Sequence, residues 1–244
     1  MTQVFAHRGY SGRYPENTLL AFRQAADAGA DGIELDVHLS RDQQLVVIHD
    51  ELLDRTTDGT GFVRDHTLAE LKRLDASGPY RGKLERNPIP TLEEVLAWMA
   101  PLSLRLNIEL KTGLFDYPGL EEQVWAMVER YRMQQRVVFS SFHAESLLRL
   151  KRLAPEASCG LLRGGSTPMP GRYIRALGLQ AYHPLFVQLD RAAVADLKSN
   201  GLAIRPYTPN SHVALRYLMR LGVDTVITNF PDRALRLRRH LSGR

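Results

Sequence analysis

The 244-residue sequence contains one cysteine, Cys159, so no disulfide can form within the chain. That excludes a small scaffold stapled by bridges, and the expectation is a reducing, cytoplasmic compartment. Cys159 lies in an apolar run and reads as a packing residue rather than a nucleophile. No uninterrupted apolar stretch approaches the roughly 18 residues of a spanning helix, so no stable membrane insertion is expected. The opening Val4-Phe5-Ala6 is too short for a secretory h-region. No G-x-G-x-x-G follows the first apolar segment, which counts against a dinucleotide cofactor. The arginine-rich tail, Arg233 to Arg244, has Arg236, Arg238, Arg239 and Arg244 but no aromatics between them. The formal charge of +5 therefore reads as a solvated face and not as a nucleic-acid surface. Such a mild positive field also attracts a phosphate ester.

What is present is ordinary in bulk and particular in detail. Hydrophobic residues make up 44% and charged residues 24%, as in a soluble globular protein with a substantial core. The most informative stretch runs from Gly32 to Asp50. Ile33, Leu35, Val37 and Leu39 alternate with Glu34, Asp36, His38 and Ser40, a period of two that marks a strand with one apolar and one polar face. A second strand, Leu45 to Ile48, follows too soon for a crossover helix, so the two form a hairpin. A tight turn centred between Arg41 and Asp42 predicts that Glu34 pairs with His49 and that Asp36 shares their face.

Around the hairpin, helices and strands alternate. Strands are predicted to begin near residues 4, 32, 104, 137, 159, 180, 202 and 225. Helices are predicted over 19–28, 92–99, 117–133, 145–153, 171–177, 191–200 and 213–221, with a last one in the tail. Thr91 and Glu94 form a capping-box pair ahead of the second of these. Eight strands with intervening helices argue for an α/β fold, a closed (β/α)8 barrel in one domain, residues 1–244. An open doubly wound sheet is the alternative. Residues 51–90 break the alternation with turn clusters and one helix candidate, 68–74. They read as a small insertion over the barrel mouth.

In such barrels the active site lies at the carboxyl ends of the strands. Those ends carry His7-Arg8, Glu34 with Asp36, His49, Glu109 with Lys111, Ser140-Ser141, His183, Tyr207 and Asn229. Three carboxylates brought together repel one another and need a cation. Oxygen-only ligation by Glu34, Asp36 and Glu109 favours Mg²⁺ or Ca²⁺. Arg8 offers a planar fork and Lys111 a point charge for a phosphate. His7 and His49 suit an acid/base pair.

The motifs HRG at His7, PENT at Pro15, IELDV at Ile33 and IHD at Ile48 stand in order along the chain. RTTDGTG at Arg55, PTLEEVL at Pro90, NIELK at Asn107, SSF at Ser140 and GVDTVITNFP at Gly222 continue the series. As an ordered set they resemble the glycerophosphodiester phosphodiesterase family over nearly the whole chain. The resemblance implies a distorted TIM barrel with a small inserted subdomain after the hairpin. It implies a phosphoric diester hydrolase that releases sn-glycerol 3-phosphate and an alcohol from a small-molecule glycerophosphodiester. Carried over by position, the catalytic histidines fall on His7 and His49. The metal ligands fall on Glu34, Asp36 and Glu109, and the phosphate-contacting residues on Arg8 and Lys111. In the implied mechanism the glycerol 2-hydroxyl attacks phosphorus and water then opens a cyclic phosphate; which histidine is acid and which is base stays open.

Two departures bear on substrate choice. Tyr207 stands where the family often has a tryptophan, keeping an aromatic wall for substrate but adding a hydroxyl. Asn229 stands where an aspartate is common after Ile-Thr. Tyr14, before PENT, narrows the expected mouth. The alternatives carried forward are a lysophospholipase D-type activity on lipid phosphodiesters and a non-catalytic barrel for anionic ligands. The first ranks lower because residues 52–90 lack a clear apolar patch. The second predicts a lost histidine or carboxylate, and none is lost.

Overall fold

A computed structural model describes residues 1–165 and 167–242. Arg244 of the basic tail therefore lies outside the described residues. The strands are β1 (Gln3–His7), β2 (Gly32–Leu39), β3 (Leu45–Val47), β4 (Arg105–Leu110), β5 (Val137–Ser141), β6 (Ser158–Arg163), β7 (Ala181–Pro184), β8 (Ala203–Ile204) and β9 (Thr225–Thr228). The helices are α1 (Leu19–Asp27), α2 (Leu68–Leu71), α3 (Leu92–Met99), α4 (Leu120–Arg130), α5 (Ala144–Leu153), α6 (Pro170–Ala176), α7 (Arg191–Ser199), α8 (His212–Leu221) and α9 (Pro231–Ser242).

Eight strands pair in parallel in the order β8-β7-β6-β5-β4-β2-β1-β9. β3 alone runs antiparallel, against β2. The ring closes between β8 and β9 by a few bonds, Asp224 N–H to Ile204 O at 3.0 Å and Ile227 N–H to Pro206 O at 3.0 Å. The fold is thus a (β/α)8 TIM barrel, distorted at its two-residue strand β8. The open doubly wound sheet is set aside by that closure.

Alternation along each strand sorts the side chains into two layers. Ile33, Leu35, Val37 and Leu39 join one core with Leu106, Ile108 and Leu110 and with Phe22, Leu96, Val124 and Leu215 of the helices. The opposite face of β2 is not solvated: Glu34, Asp36 and His38 are buried as well. The polar half of the period-two pattern points into the barrel, so its charges face each other rather than water.

The hairpin differs by one residue from the predicted register. Leu39 pairs with Leu45 and Val37 with Val47, so Asp36 lies opposite Ile48. The cause is a three-residue loop whose last residue, Gln43, takes φ 58°. A left-handed residue after the turn adds one position to the link. A one-residue slip moves side chains to the other face, but the ladder ends at Val47 and the chain turns away before His49.

Helix ends follow their local chemistry. Thr91 Oγ1 accepts from Glu94 N–H while Glu94 Oε2 accepts from Thr91 N–H, as the capping pair predicted. The predicted 117–133 helix is shorter because Gly119, at φ 85°, starts it late. Residues 51–90 contain α2 and two short 3₁₀ turns. They pack a small core of Leu53, Val63, Leu71, Ala76 and Ile89 against Val46 and Ile48.

Candidate active site

β1 ends in His7, and the chain turns at once. Arg8 takes φ 55° and Gly9 φ 78°. A Cβ on Gly9 would stand 2.7 Å from the backbone of Ala21, so only glycine lets α1 pack this close. The turn points Arg8 N–H at Glu34 Oε2, 2.9 Å away. The Arg8 guanidinium spans Glu16, at 2.9 Å, and Asp36, at 3.5 Å.

Glu34, Asp36 and Glu109 come together. Each offers a carboxylate oxygen within 4.8 Å of the other two, and all three are buried. The pairing of β2 with β4 puts Asp36 beside Glu109. Asp36 Oδ2 accepts from Asn17 Nδ2 at 2.8 Å, and its buried Oδ1 has no hydrogen-bond partner. Glu109 Oε1 accepts from Lys111 Nζ at 3.0 Å, and Lys111 lies 3.9 Å from Asp36. Lys111 thus backs the acids rather than lining the cavity between the histidines.

Burial, then repulsion from Asp36 and Glu109, pushes the Glu34 carboxyl well above the usual range. Burial and Asp36 raise Glu109 too. Burial acts the same way on Asp36, but Arg8, His49 and Lys111 outweigh it and hold that carboxyl low. Two carboxylates near 4.8 Å apart repel by roughly 3–4 kcal/mol at an effective dielectric of about 20. That exceeds the ~1.4 kcal/mol of one pKa unit, so the trio keeps a proton or takes a cation. The donor set is buried, oxygen-only and partly unpartnered, and it fits a hard divalent ion.

His7 and His49 line one narrow cavity of ≈ 80 Å³ with Arg8, Glu34, Glu109 and Tyr207. His7 Nδ1–H donates to Asn229 Oδ1 at 2.7 Å, leaving Nε2 free. Burial and the neighbouring Arg8 lower the His7 pKa to about 4, so its imidazole is neutral near pH 7. His49 Nδ1–H donates to Asp50 Oδ1 at 2.5 Å. Asp50 is gripped by Arg55, which also makes a two-pronged pair with Glu16 at 2.8 and 2.9 Å. His38 fixes the backbone here: its Nε2–H donates to the His49 carbonyl at 3.0 Å while Tyr117 O–H lies 3.2 Å from Nδ1. Tyr207 forms one wall, edge-on to Phe142.

Of the other strand-end residues, Ser140 lines the cavity and accepts from Asn107 Nδ2 at 2.9 Å. Ser141 turns back to the Leu110 carbonyl. His183 is fully buried, with neither ring nitrogen hydrogen-bonded, and lies against Gly160 rather than in the cavity. Glu16, Asn17, His38, Asp50 and Arg55 support the site without having been expected there from the sequence. Four of these sit inside the PENT, IHD and RTTDGTG motifs, so the signal was present without its geometry. Asn229, noted as a departure, supplies the neutral acceptor that His7 needs.

Comparison with known proteins places the chain in a family. The sequence model of the glycerophosphoryl diester phosphodiesterase family matches residues 7–233. A glycerophosphodiester phosphodiesterase of Bacillus altitudinis is 42% identical over 99% of this chain and 100% of its own length. Solved structures show the same fold. That of a glycerophosphodiester phosphodiesterase from Agrobacterium tumefaciens superposes with a TM-score of 0.84 at 31% identity, covering 96% of this chain and 99% of its own. An Oleispira antarctica phosphodiesterase, solved in complex with its product sn-glycerol-3-phosphate, gives 0.86 at 33% identity, covering 98% and 97%.

Proposed function

The chain belongs to the glycerophosphoryl diester phosphodiesterase family, a family of phosphoric diester hydrolases, and we propose on that premise that it hydrolyses glycerophosphodiesters to sn-glycerol 3-phosphate and an alcohol. The observation that carries this reading is a trio of buried carboxylates, two of which, Glu34 and Glu109, line one cavity with both histidines.

Charge supports it. Arg8 and Lys111 face three carboxylates, which leaves one negative charge when all are ionised. A divalent ion turns that into one positive charge, and a phosphodiester carries one negative. Glu34, Asp36 and Glu109 would hold Mg²⁺ or Ca²⁺. When bound, the ion supplies Lewis-acid neutralisation of charge on a phosphoryl oxygen.

The side chains divide the remaining work. Arg8 orients the phosphate, Lys111 balances the acids behind it, and Tyr207 walls the substrate. His7, neutral with a free Nε2, is the base: it takes the proton of the glycerol 2-hydroxyl as that oxygen bonds to phosphorus. The bond from phosphorus to the alcohol oxygen breaks, and His49 Nε2 gives that oxygen a proton. Asp50, hydrogen-bonded to the far nitrogen, fixes the ring so that Nε2 faces the leaving oxygen. For opening of the cyclic phosphate the roles reverse. His49 takes a proton from water as the water oxygen bonds to phosphorus, and the bond from phosphorus to the 2-oxygen breaks as His7 gives that oxygen its proton. Residues 51–90 act as a small subdomain at the mouth; the reach of Arg55 to Asp50 and Glu16 supports that placement. No helix among the described residues is long and apolar enough to cross a membrane. The buried, unpaired Cys159 supports a cytoplasmic setting.

A second reading, lysophospholipids as substrates, rests on a different observation. Leu114, Phe142, Met169 and Val187 are exposed large apolar residues on four successive strand-to-helix loops. A panel of glycerophosphodiesters and lysophospholipids, scored for phosphate monoester release, separates the two. Small diesters are expected to be cleaved with the higher kcat/KM. A preference for lysophospholipids supports the second reading, and cleavage of neither contradicts both.

Ion binding should depend on pH in one direction. Glu34 and Glu109 have folded-state pKa values above their unfolded ones, so the metal-free fold holds protons that the unfolded chain has released. Those carboxyls cost stability increasingly as pH rises from the ordinary carboxylate range through the raised values. A divalent ion removes that cost, and at lower pH it must displace protons first. The Tm gain on adding Mg²⁺ is therefore expected to be larger at about pH 8 than at about pH 5.5. Buried neutral His38 and His183 titrate in the opposite sense but act with and without the ion alike. Thermal melts at both pH values check this, and equal gains would contradict it.

A further inference from the structure

The opposite end of the barrel holds a second polar cavity, of ≈ 510 Å³. Gln3 of β1, Arg105 of β4, Ala203 and Arg205 at β8, and Thr225 of β9 line it. α8 and α9 form its wall through Met219 and Leu241. Arg205 turns inward after Ile204, which packs outward in the main core. Among the described residues its buried Nη1 has no hydrogen-bond partner. The buried Thr225 hydroxyl has none among them either.

The surrounding charges answer the arginines only in part. Among the described residues neither Arg105 nor Arg205 makes an ion pair. Arg238 is already engaged by Asp31 and the Thr2 carbonyl. Asp224 also lines the cavity, but its Oδ2 is used by Ile204 N–H at 2.8 Å. Burial, with repulsion from Arg105, lowers the Arg205 pKa to about 10 despite attraction by Asp224. An unpaired buried guanidinium is costly, and a counter-charge in the cavity removes that cost.

We propose that this base cavity binds a tetrahedral phosphate oxyanion, held by the guanidinium groups of Arg105 and Arg205, at a site separate from the acidic trio. Guanidinium forks match phosphate geometry. The cavity volume admits either inorganic phosphate or a phosphate monoester. The site stands on charge at the barrel base and is independent of the catalytic reading.

Calorimetric titration of Mg²⁺-loaded protein with inorganic phosphate, and separately with sn-glycerol 3-phosphate, tests it. Wild type is expected to bind one ion at the base in addition to any bound at the catalytic mouth. Arg105→Ala with Arg205→Gln should lose that base site and leave kcat on a glycerophosphodiester within about twofold of wild type. Arg105→Ala alone, whose side chain is exposed and safe for folding, should weaken the base site by about tenfold or more. Base binding of phosphate but not of the monoester identifies the bare ion as ligand; binding of both identifies the phosphate group. Unchanged stoichiometry and affinity in both variants would overturn the proposal.

Discussion

His7→Ala and His49→Ala are each expected to lower kcat by about 10²–10⁴-fold, the range of a lost general acid or base. In the proposed mechanism the two imidazoles act on opposite sides of the same phosphorus. His7 presents an unprotonated Nε2 because Asn229 holds its Nδ1 proton, and its pKa near 4 keeps it neutral. His49 has the carboxylate of Asp50 behind it. Neither ring is part of the apolar core, so far-ultraviolet circular dichroism and cooperative melting should survive both substitutions. Residues that serve one transition state lose activity non-additively, so the double variant should fall little below the worse single one. Asp50→Asn should cost less than His49→Ala, because the ring remains and only the hydrogen bond that orients it is altered. Steady-state kinetics on a glycerophosphodiester check all four. Near wild-type turnover in both single variants would remove the pair from the account.

Thorough chelation is expected to lower activity by at least about 10³-fold, with recovery on adding Mg²⁺ or Ca²⁺. A phosphoryl transition state places charge on oxygens beside three acids, and without a cation that charge meets repulsion. The several kcal/mol supplied by a Lewis acid convert to this loss at ~1.4 kcal/mol per factor of ten. Glu109→Gln should imitate chelation in activity, since an amide cannot bring the negative charge that draws the ion. It should also raise the Tm of the metal-free protein, because one member of a mutually repelling trio has been neutralised. A merely structural role for Glu109 predicts a lower Tm instead. Full turnover after chelation would contradict the reading.

The sequence carried much of this because two periodicities were undisturbed. Alternation in 33–40 and 105–110 placed the acids on one face, and helix caps such as Thr91 with Glu94 fixed where elements begin. Period alone did not say whether the polar face meets water or the barrel interior; closure of the sheet decides that. The hairpin register was missed because Gln43 adopts a left-handed conformation that its residue type does not announce. The supporting network was missed for another reason. Arg55, Glu16, Asp50 and His49 lie up to 39 positions apart, and only the folded chain brings them into contact. His183 misled in the opposite direction: a histidine at a strand end is buried below the site instead of facing it. The base cavity left no motif at all, since Arg105, Arg205 and Thr225 belong to strands distant in sequence.

The proposed chemistry depends on the acidic trio as a cation site. Calorimetric titration of metal-free protein with Mg²⁺ and with Ca²⁺, for wild type and for Glu34→Gln, Asp36→Asn and Glu109→Gln, measures this most directly. The expected result is one ion per wild-type chain and affinity at least about tenfold weaker in each variant. Unaltered stoichiometry and affinity in the variants, or no binding by the wild type, would contradict it.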